Sequence, residues 1–178
     1  MLAGGICLSQ DNYVLIKSNK MKKIFLLVAI LATAFAQIGF AQGKISGNGA
    51  SLLSSYYSVK EALVASNATL AASKASELVK AIAGSDEKTI SKAAKKSLLK
   101  HAGSIASSKD LESQRESFSA VSDDVIAIAK TAKISDAPVY QMYCPMKKGS
   151  WLSSEKAVKN PYYGSAMLDC GSIVETYK

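Results

Sequence analysis

The chain is poor in the residue types that catalysis and cofactor binding draw on. Its 178 residues include one histidine, one tryptophan, three prolines and three cysteines. The single histidine has no Ser-His-Asp or Cys-His neighbourhood readable around it, which leaves nucleophilic catalysis without a base. The cysteines form neither a Cys-x-x-Cys redox pair nor a haem-attachment motif, and no glycine-rich phosphate loop is present. These absences point away from an enzyme and towards a binding or structural protein. The apolar run from Ile24 to Ala36 is shorter than the roughly 20 residues of a membrane-spanning helix.

That run instead has the layout of a secretory signal. Lys22 and Lys23 precede it, and small residues follow as Ala34-Phe35-Ala36 and Gly39-Phe40-Ala41, with cleavage after Ala41 favoured over Ala36. Met21, followed by two lysines, reads as the true start, so that residues 1–20, with Cys7, form an upstream extension. The expected organisation is a removed leader over 1–41, a linker over 42–48 and one domain over 49–178. No thiol stands just behind the apolar run for lipid attachment. The processed protein is therefore expected in the periplasm or secreted, with no membrane association after cleavage. Its net charge falls from +8 to +5 when the leader is removed, and two cysteines remain in an oxidising compartment.

The processed chain begins with helical periodicity. Leu52, Tyr56, Val59 and Leu63 follow a 4-3-4 rhythm and share one helix face. Asn67 can close this helix and Thr69 can cap the next, whose stripe is Ala71, Ala75, Leu78 and Ile82. Ser85 or Asp86 can cap a third, with Ile90, Ala94, Leu98, His101 and Ile105 inward. Asp110 can cap a fourth, from Leu111 to about Lys133, whose stripe is Leu111, Phe118, Val121, Val125, Ile128 and Ala132. Lys88, Lys92, Lys96 and Lys100 line the outer side of the third helix. No aromatic residue interleaves with them, so the row reads as a solvated face and no nucleic-acid partner is expected. The expected fold is all-α, an antiparallel four-helix bundle with a C-terminal irregular or short-strand motif segment, residues 138–178, packed on it.

That segment concentrates the unusual residues: Tyr143-Cys144-Pro145-Met146, Trp151-Leu152-Ser153, Asn160-Pro161-Tyr162-Tyr163-Gly164 and Met167-Leu168-Asp169-Cys170-Gly171. In extended chain Cys144 and Met146 project to the same side, and Met167 and Cys170 share one face of a helical turn. Two thiols and two thioethers that converge would suit a soft monovalent ion, copper(I) or silver(I). Gly164 and Gly171 supply turns that fold the second pair back on the first. His101 is a weaker candidate ligand. In an up-down bundle the link from the end of helix four to Cys144 would have to recross roughly 30 Å in nearly extended form for the two to meet.

With Gln114-Arg115, Phe118 and Ser122 added from the fourth helix, these blocks resemble a bacterial domain of unknown function. It is found as small exported proteins and at the C-terminus of membrane-fusion subunits of heavy-metal efflux pumps. The resemblance implies a link to copper or silver handling, with an efflux adaptor or pump as the expected partner. The competing reading of the thiols is a Cys144–Cys170 disulfide, which would close a loop of about 25 residues and stabilise the fold by about 3.5 kcal/mol. In that case the domain would be a structural or protein-interaction module without metal. Arg115, Phe118, Trp151, Asn160, Pro161, Tyr162, Gly164 and Gly171 are expected in structural roles, with Arg115 bonding carbonyls of the C-terminal segment.

Overall fold

The 4-3-4 stripes build four α-helices in the computed structural model, which describes residues 48–88 and 90–178. The expected leader, Cys7 and nearly all of the linker lie outside the described residues. Helix α1 is Asn48–Val64, α2 is Ala68–Gly84, α3 is Lys92–Ser107 and α4 is Leu111–Thr131. Leu52, Tyr56, Val59 and Leu63 on α1, and Ala71, Ala75, Leu78 and Ile82 on α2, are fully buried. The alanine stripe of α2 removes side-chain bulk, which lets its neighbours on both sides come close.

Helix ends are fixed by local acceptors, and two differ from the sequence reading. Asn67 caps α2, its Oδ1 accepting the Leu70 N–H at 2.9 Å, so Thr69 already lies inside the helix. Ser91 caps α3, which begins at Lys92, about one and a half turns later than a cap at Ser85 or Asp86 implies. Ser85 is already committed to the end of α2: it is the C-cap, its hydroxyl donates to the Ala81 carbonyl, and Lys95 donates to the Ala83 and Ser85 carbonyls. Asp110 caps α4 by accepting the Ser113 N–H at 2.8 Å. Gln114, fully buried at the start of α4, donates to the carbonyls of Ala68 and Ser108 at 2.9 Å and so ties three helix ends together.

The all-α expectation is wrong. Beyond Pro138 the chain forms a three-stranded antiparallel sheet of β1 (Val139–Cys144), β2 (Gly149–Ser153) and β3 (Ser172–Tyr177) in the order β2-β1-β3, with a short 3₁₀ turn at Gly164–Met167. Met142 stands opposite Trp151 on one side and Ile173 on the other. A bulge follows, because Gln141 pairs with Glu175 while Met142 pairs with Ile173, leaving Val174 as the extra residue. The molecule is therefore α+β among the described residues.

The physical reason lies in α4. Its buried residues, Gln114, Phe118, Val121, Ser122, Val125, Ile126, Ile128 and Ala129, form a wider face than one neighbouring helix can cover. Helices α1 to α4 pack each on the next, but α1 and α4 meet directly over only a short stretch, and β2 lies against α4 instead. Trp151, Leu152, Met142 and Cys144 carry the core across this opening, all with no exposed surface. The Tyr56 hydroxyl marks the seam, 2.8 Å from Ser122 Oγ on α4 and accepting the Leu152 N–H of β2 at 3.1 Å. Its ring stacks on Phe118 at 5.1 Å. Among the described residues no helix is long and apolar enough to cross a membrane.

Candidate functional site

Cys144 is the last residue of β1 and Gly149 opposite it is the first of β2, so Pro145 to Lys148 form the connecting turn. Lys148 takes a left-handed conformation (φ 55°) to close it. In this turn the backbone N–H groups of Met146 and Lys147 favour the ionised form of the Cys144 thiol.

Cys170 arrives from the other direction, and a single buried side chain positions it. Asn160 Nδ2 donates to the Cys170 carbonyl at 2.8 Å, while its Oδ1 accepts the Tyr162 N–H at 2.8 Å. Its backbone N–H donates to the Leu168 carbonyl, and its carbonyl accepts the Gly164 N–H. The loop from Asn160 to Cys170 is thus pinned from inside at both ends. The Cys170 N–H donates to the Met167 carbonyl, and the two sulfurs meet at 2.8 Å, both as free thiols. Cys144 is buried, whereas Cys170 is half-buried.

The two thiols differ electrostatically. Burial opposes ionisation of Cys144. It is outweighed by hydrogen bonds from the Cys170 thiol, the Lys147 N–H, the Asn160 amide and the Met146 N–H, and the Cys144 pKa is lowered. The Cys170 pKa is raised, first by its bond to Cys144, then by desolvation and by the charge on that neighbour. One thiol therefore ionises ahead of the other.

The scaffold explains why glycine stands at two positions. Gly164 has φ +58°, and a Cβ there would lie 2.6 Å from Ser66 Oγ and 2.8 Å from Arg115 Nη2. Gly171 has φ +148°, and a Cβ would lie 2.8 Å from Trp151 Cη2 and 3.1 Å from the Tyr143 carbonyl oxygen. Arg115 donates through Nε to the Pro161 carbonyl at 3.0 Å and through Nη2 to the Leu63 carbonyl at 3.2 Å and Ser66 Oγ at 3.0 Å. Trp151 meets Tyr162 edge-on with ring centroids 5.8 Å apart, and Tyr162 in turn approaches Phe118 and donates to the Ser150 carbonyl.

The remaining candidate ligands are placed differently. Met146 is 64% exposed and Met167 38% exposed, at the surface on the chain segments that carry the two thiols. His101 Nδ1 lies 3.3 Å from Asp124 Oδ2, in the α3–α4 seam. The turn after Cys144 touches α4 at Glu116 through Lys147, and Asp124 is about 12 Å further along that helix. His101 is therefore committed to a carboxylate at a different level of the molecule. Among the described residues no group of three or more His, Cys, Asp or Glu is placed to hold a metal ion. What the site offers is two sulfurs with thioethers near by in the chain, a donor set that can hold a soft ion of low coordination number or close on itself.

Sequence reasoning missed the turn N–H groups behind Cys144, though a Cys-Pro step leading into a glycine four residues later is their trace. It also missed Lys60, which is 2% exposed, 2.9 Å from Glu61 Oε1, 3.4 Å from Ser153 Oγ and over the Tyr57 ring. Nothing in the sequence separates that lysine from the solvated ones.

Residues 52–137 match a protein family described as a protein of unknown function, DUF3347. The chain thus carries a domain of unknown function. The matched residues take in the four helices from Leu52 onward and end before β1, so of the five sequence blocks only that in α4 falls inside them. No curated protein and no solved structure matches the chain.

Proposed function

We propose that the protein is an exported module that takes a monovalent copper or silver ion as cargo, buffering or delivering it in connection with efflux. The observation that carries this reading is the direct approach of two thiols on a stiff support, one of them backed by N–H donors that favour its thiolate. Thiolates are soft donors and prefer soft ions, and a two-sulfur set matches the low coordination numbers of monovalent copper and silver better than the four-donor requirement of zinc. Met146 and Met167, both reaching solvent, could add a thioether as the ion enters or leaves. The fit extends to hydrogen bonding around the sulfurs, which tunes affinity in metal–thiolate sites.

The test is an anaerobic titration of the fully reduced protein with silver(I) or copper(I) against a competing chelator. One equivalent should bind, with affinity lowered at least about tenfold in Cys144→Ser. A reduced, folded protein that binds no ion ends this reading. The same sulfur contact also favours a second one, a structural or interaction module locked by a Cys144–Cys170 disulfide. Protein isolated from the exported fraction with no titratable thiol, and inert to metal after reduction, would establish that alternative.

A further inference from the structure

The two thiols are unequal in access. Cys144 has no exposed surface and is walled by its own turn and by Asn160, whereas Cys170 is only half-buried. Thiol–disulfide exchange requires the attacking sulfur, the attacked sulfur and the leaving sulfur to stand nearly in line. An external disulfide can present itself to Cys170 from solvent. It cannot reach Cys144 without opening the hairpin turn. Once Cys170 carries the external sulfur, Cys144 is the protein sulfur beside it, 2.8 Å away in the thiol form.

We infer that the soft-ion site, taken as read above, is gated by exchange with a small-molecule or protein disulfide, Cys170 accepting the incoming sulfur and the buried Cys144 resolving it. In the first step the Cys170 sulfur attacks one sulfur of the external disulfide. A Cys170–S–S–R bond forms, the external S–S bond breaks, and one R–SH leaves with the proton given up by Cys170. In the second step Cys144 attacks the Cys170 sulfur, the mixed disulfide breaks, and a second R–SH leaves with the Cys144 proton. Two protein thiols are oxidised and one external disulfide is reduced to two thiols. From the ion-loaded state the same products form with uptake of two protons and release of the monovalent cation, because a disulfide no longer offers thiolate donors. Oxidising conditions would thereby empty the site, and reduction would restore it.

The order of events can be read on wild-type protein. Cys144 ionises more readily but has no exposed surface, so access decides: a brief pulse of iodoacetamide on the reduced, folded chain, followed by peptide mapping, should label Cys170 at least about tenfold faster than Cys144. With oxidised glutathione, the wild type should pass to the intramolecular disulfide without retaining glutathione. Cys144→Ser should keep one adduct on Cys170, and Cys170→Ser should form none while folded. Silver-loaded wild type should lose its ion as the disulfide forms. Equal labelling of the two thiols, an adduct on Cys170→Ser at the wild-type rate, or a lasting adduct on the wild type would each overturn the order proposed. A reduced protein that binds no silver overturns the ion reading and the gating with it, whereas one that keeps its silver through exchange overturns the gating alone.

Discussion

The helical layer, residues 48–131, and the C-terminal segment, residues 139–177, are held together by different physics. In the helices most buried side chains repeat a local rule, a stripe of spacing three and four, and α2, α3 and α4 each begin at a capping side chain three residues from the N–H it accepts. In the C-terminal segment the decisive contacts mostly reach further along the chain: Tyr56 to Leu152, Arg115 to Pro161 and Trp151 under Gly171, with Asn160 to Cys170 closing the thiol loop itself. The helices supply stiffness and the segment supplies chemistry. A thiol pair carried on a loop is precise here because that loop is tied to the rigid layer at several separate points.

The largest test of that division is Trp151→Ala. If the segment were an ornament on a self-sufficient bundle, removing its central side chain would leave the helices untouched. Because Trp151 has no exposed surface and belongs to the same core cluster as Phe118 and Tyr56, we expect a loss of about 3–5 kcal/mol. The helical circular dichroism signal should fall in the same cooperative transition as the sheet. A helical signal melting at the wild-type midpoint would show that the two regions are separable.

Tyr56→Phe sharpens the comparison at the seam. The ring, and its stacking on Phe118, stays in place, while the hydroxyl that joins Ser122 of α4 to the Leu152 N–H of β2 is removed. A buried N–H left without a partner should cost about 1–3 kcal/mol, read by urea unfolding. Burial keeps this phenol protonated, its pKa pushed well above the ordinary tyrosine value, so the loss should not vary with pH through the neutral range. A change below about 0.5 kcal/mol would mean that apolar packing alone joins the sheet to the helices.

How much could be read in advance follows the same division. The stripes of α1 and α2 were legible residue by residue, since Leu52, Tyr56, Val59, Leu63 and Ala71, Ala75, Leu78, Ile82 are all fully buried. The start of α3 was not, because Ser85 and Ser91 both qualify as caps and only the packing of Lys95 against the end of α2 assigns Ser85 elsewhere. The sheet was missed for a stronger reason. Strand β3 leaves nearly all its side chains exposed, so Ser172 to Tyr177 carry no alternation of burial from which a strand could be inferred. Its extended form comes from pairing with β1, in contacts between residues as far apart as Val139 and Tyr177 that no local window contains. The glycines at 164 and 171 were visible as turn chemistry, but the turn after Cys144 was not: the sequence reads Cys144 to Met146 as extended chain, whereas the chain turns from Pro145 to Lys148. The role of Asn160 as the hub of the Cys170 loop was not legible, because beside its local bonds to Tyr162 and Gly164 it depends on the Leu168 and Cys170 carbonyls, which only the folded loop brings to it.

The smallest expected effect lies wholly within the helical layer and is a test of locality. Asp110 accepts the Ser113 N–H at the start of α4, and hydrogen bonds from the Ser113 backbone, then its side chain, then the Glu112 backbone lower its pKa, against a small opposing desolvation. A carboxylate with a lower pKa folded than unfolded is protonated first in the unfolded chain. Its contribution is therefore complete above the unfolded value of about 3.9 and is lost as pH falls through the folded one. Asn at this position keeps the cap acceptor but has nothing to titrate and no charge to set against the helix dipole. The wild type should thus be slightly more stable than Asp110→Asn at pH 6, and the difference should be smaller at pH 3 and should shrink with added salt, because the side chain is solvent-exposed. A difference that stays constant between these two pH values would mean that the cap acts through geometry alone. Since the contact is local, the relative alkylation rates of Cys144 and Cys170 should be the same in this variant as in the wild type; altered rates would mean that the end of α4 and the thiol loop are more tightly coupled than the contacts through Arg115 and Lys147 imply.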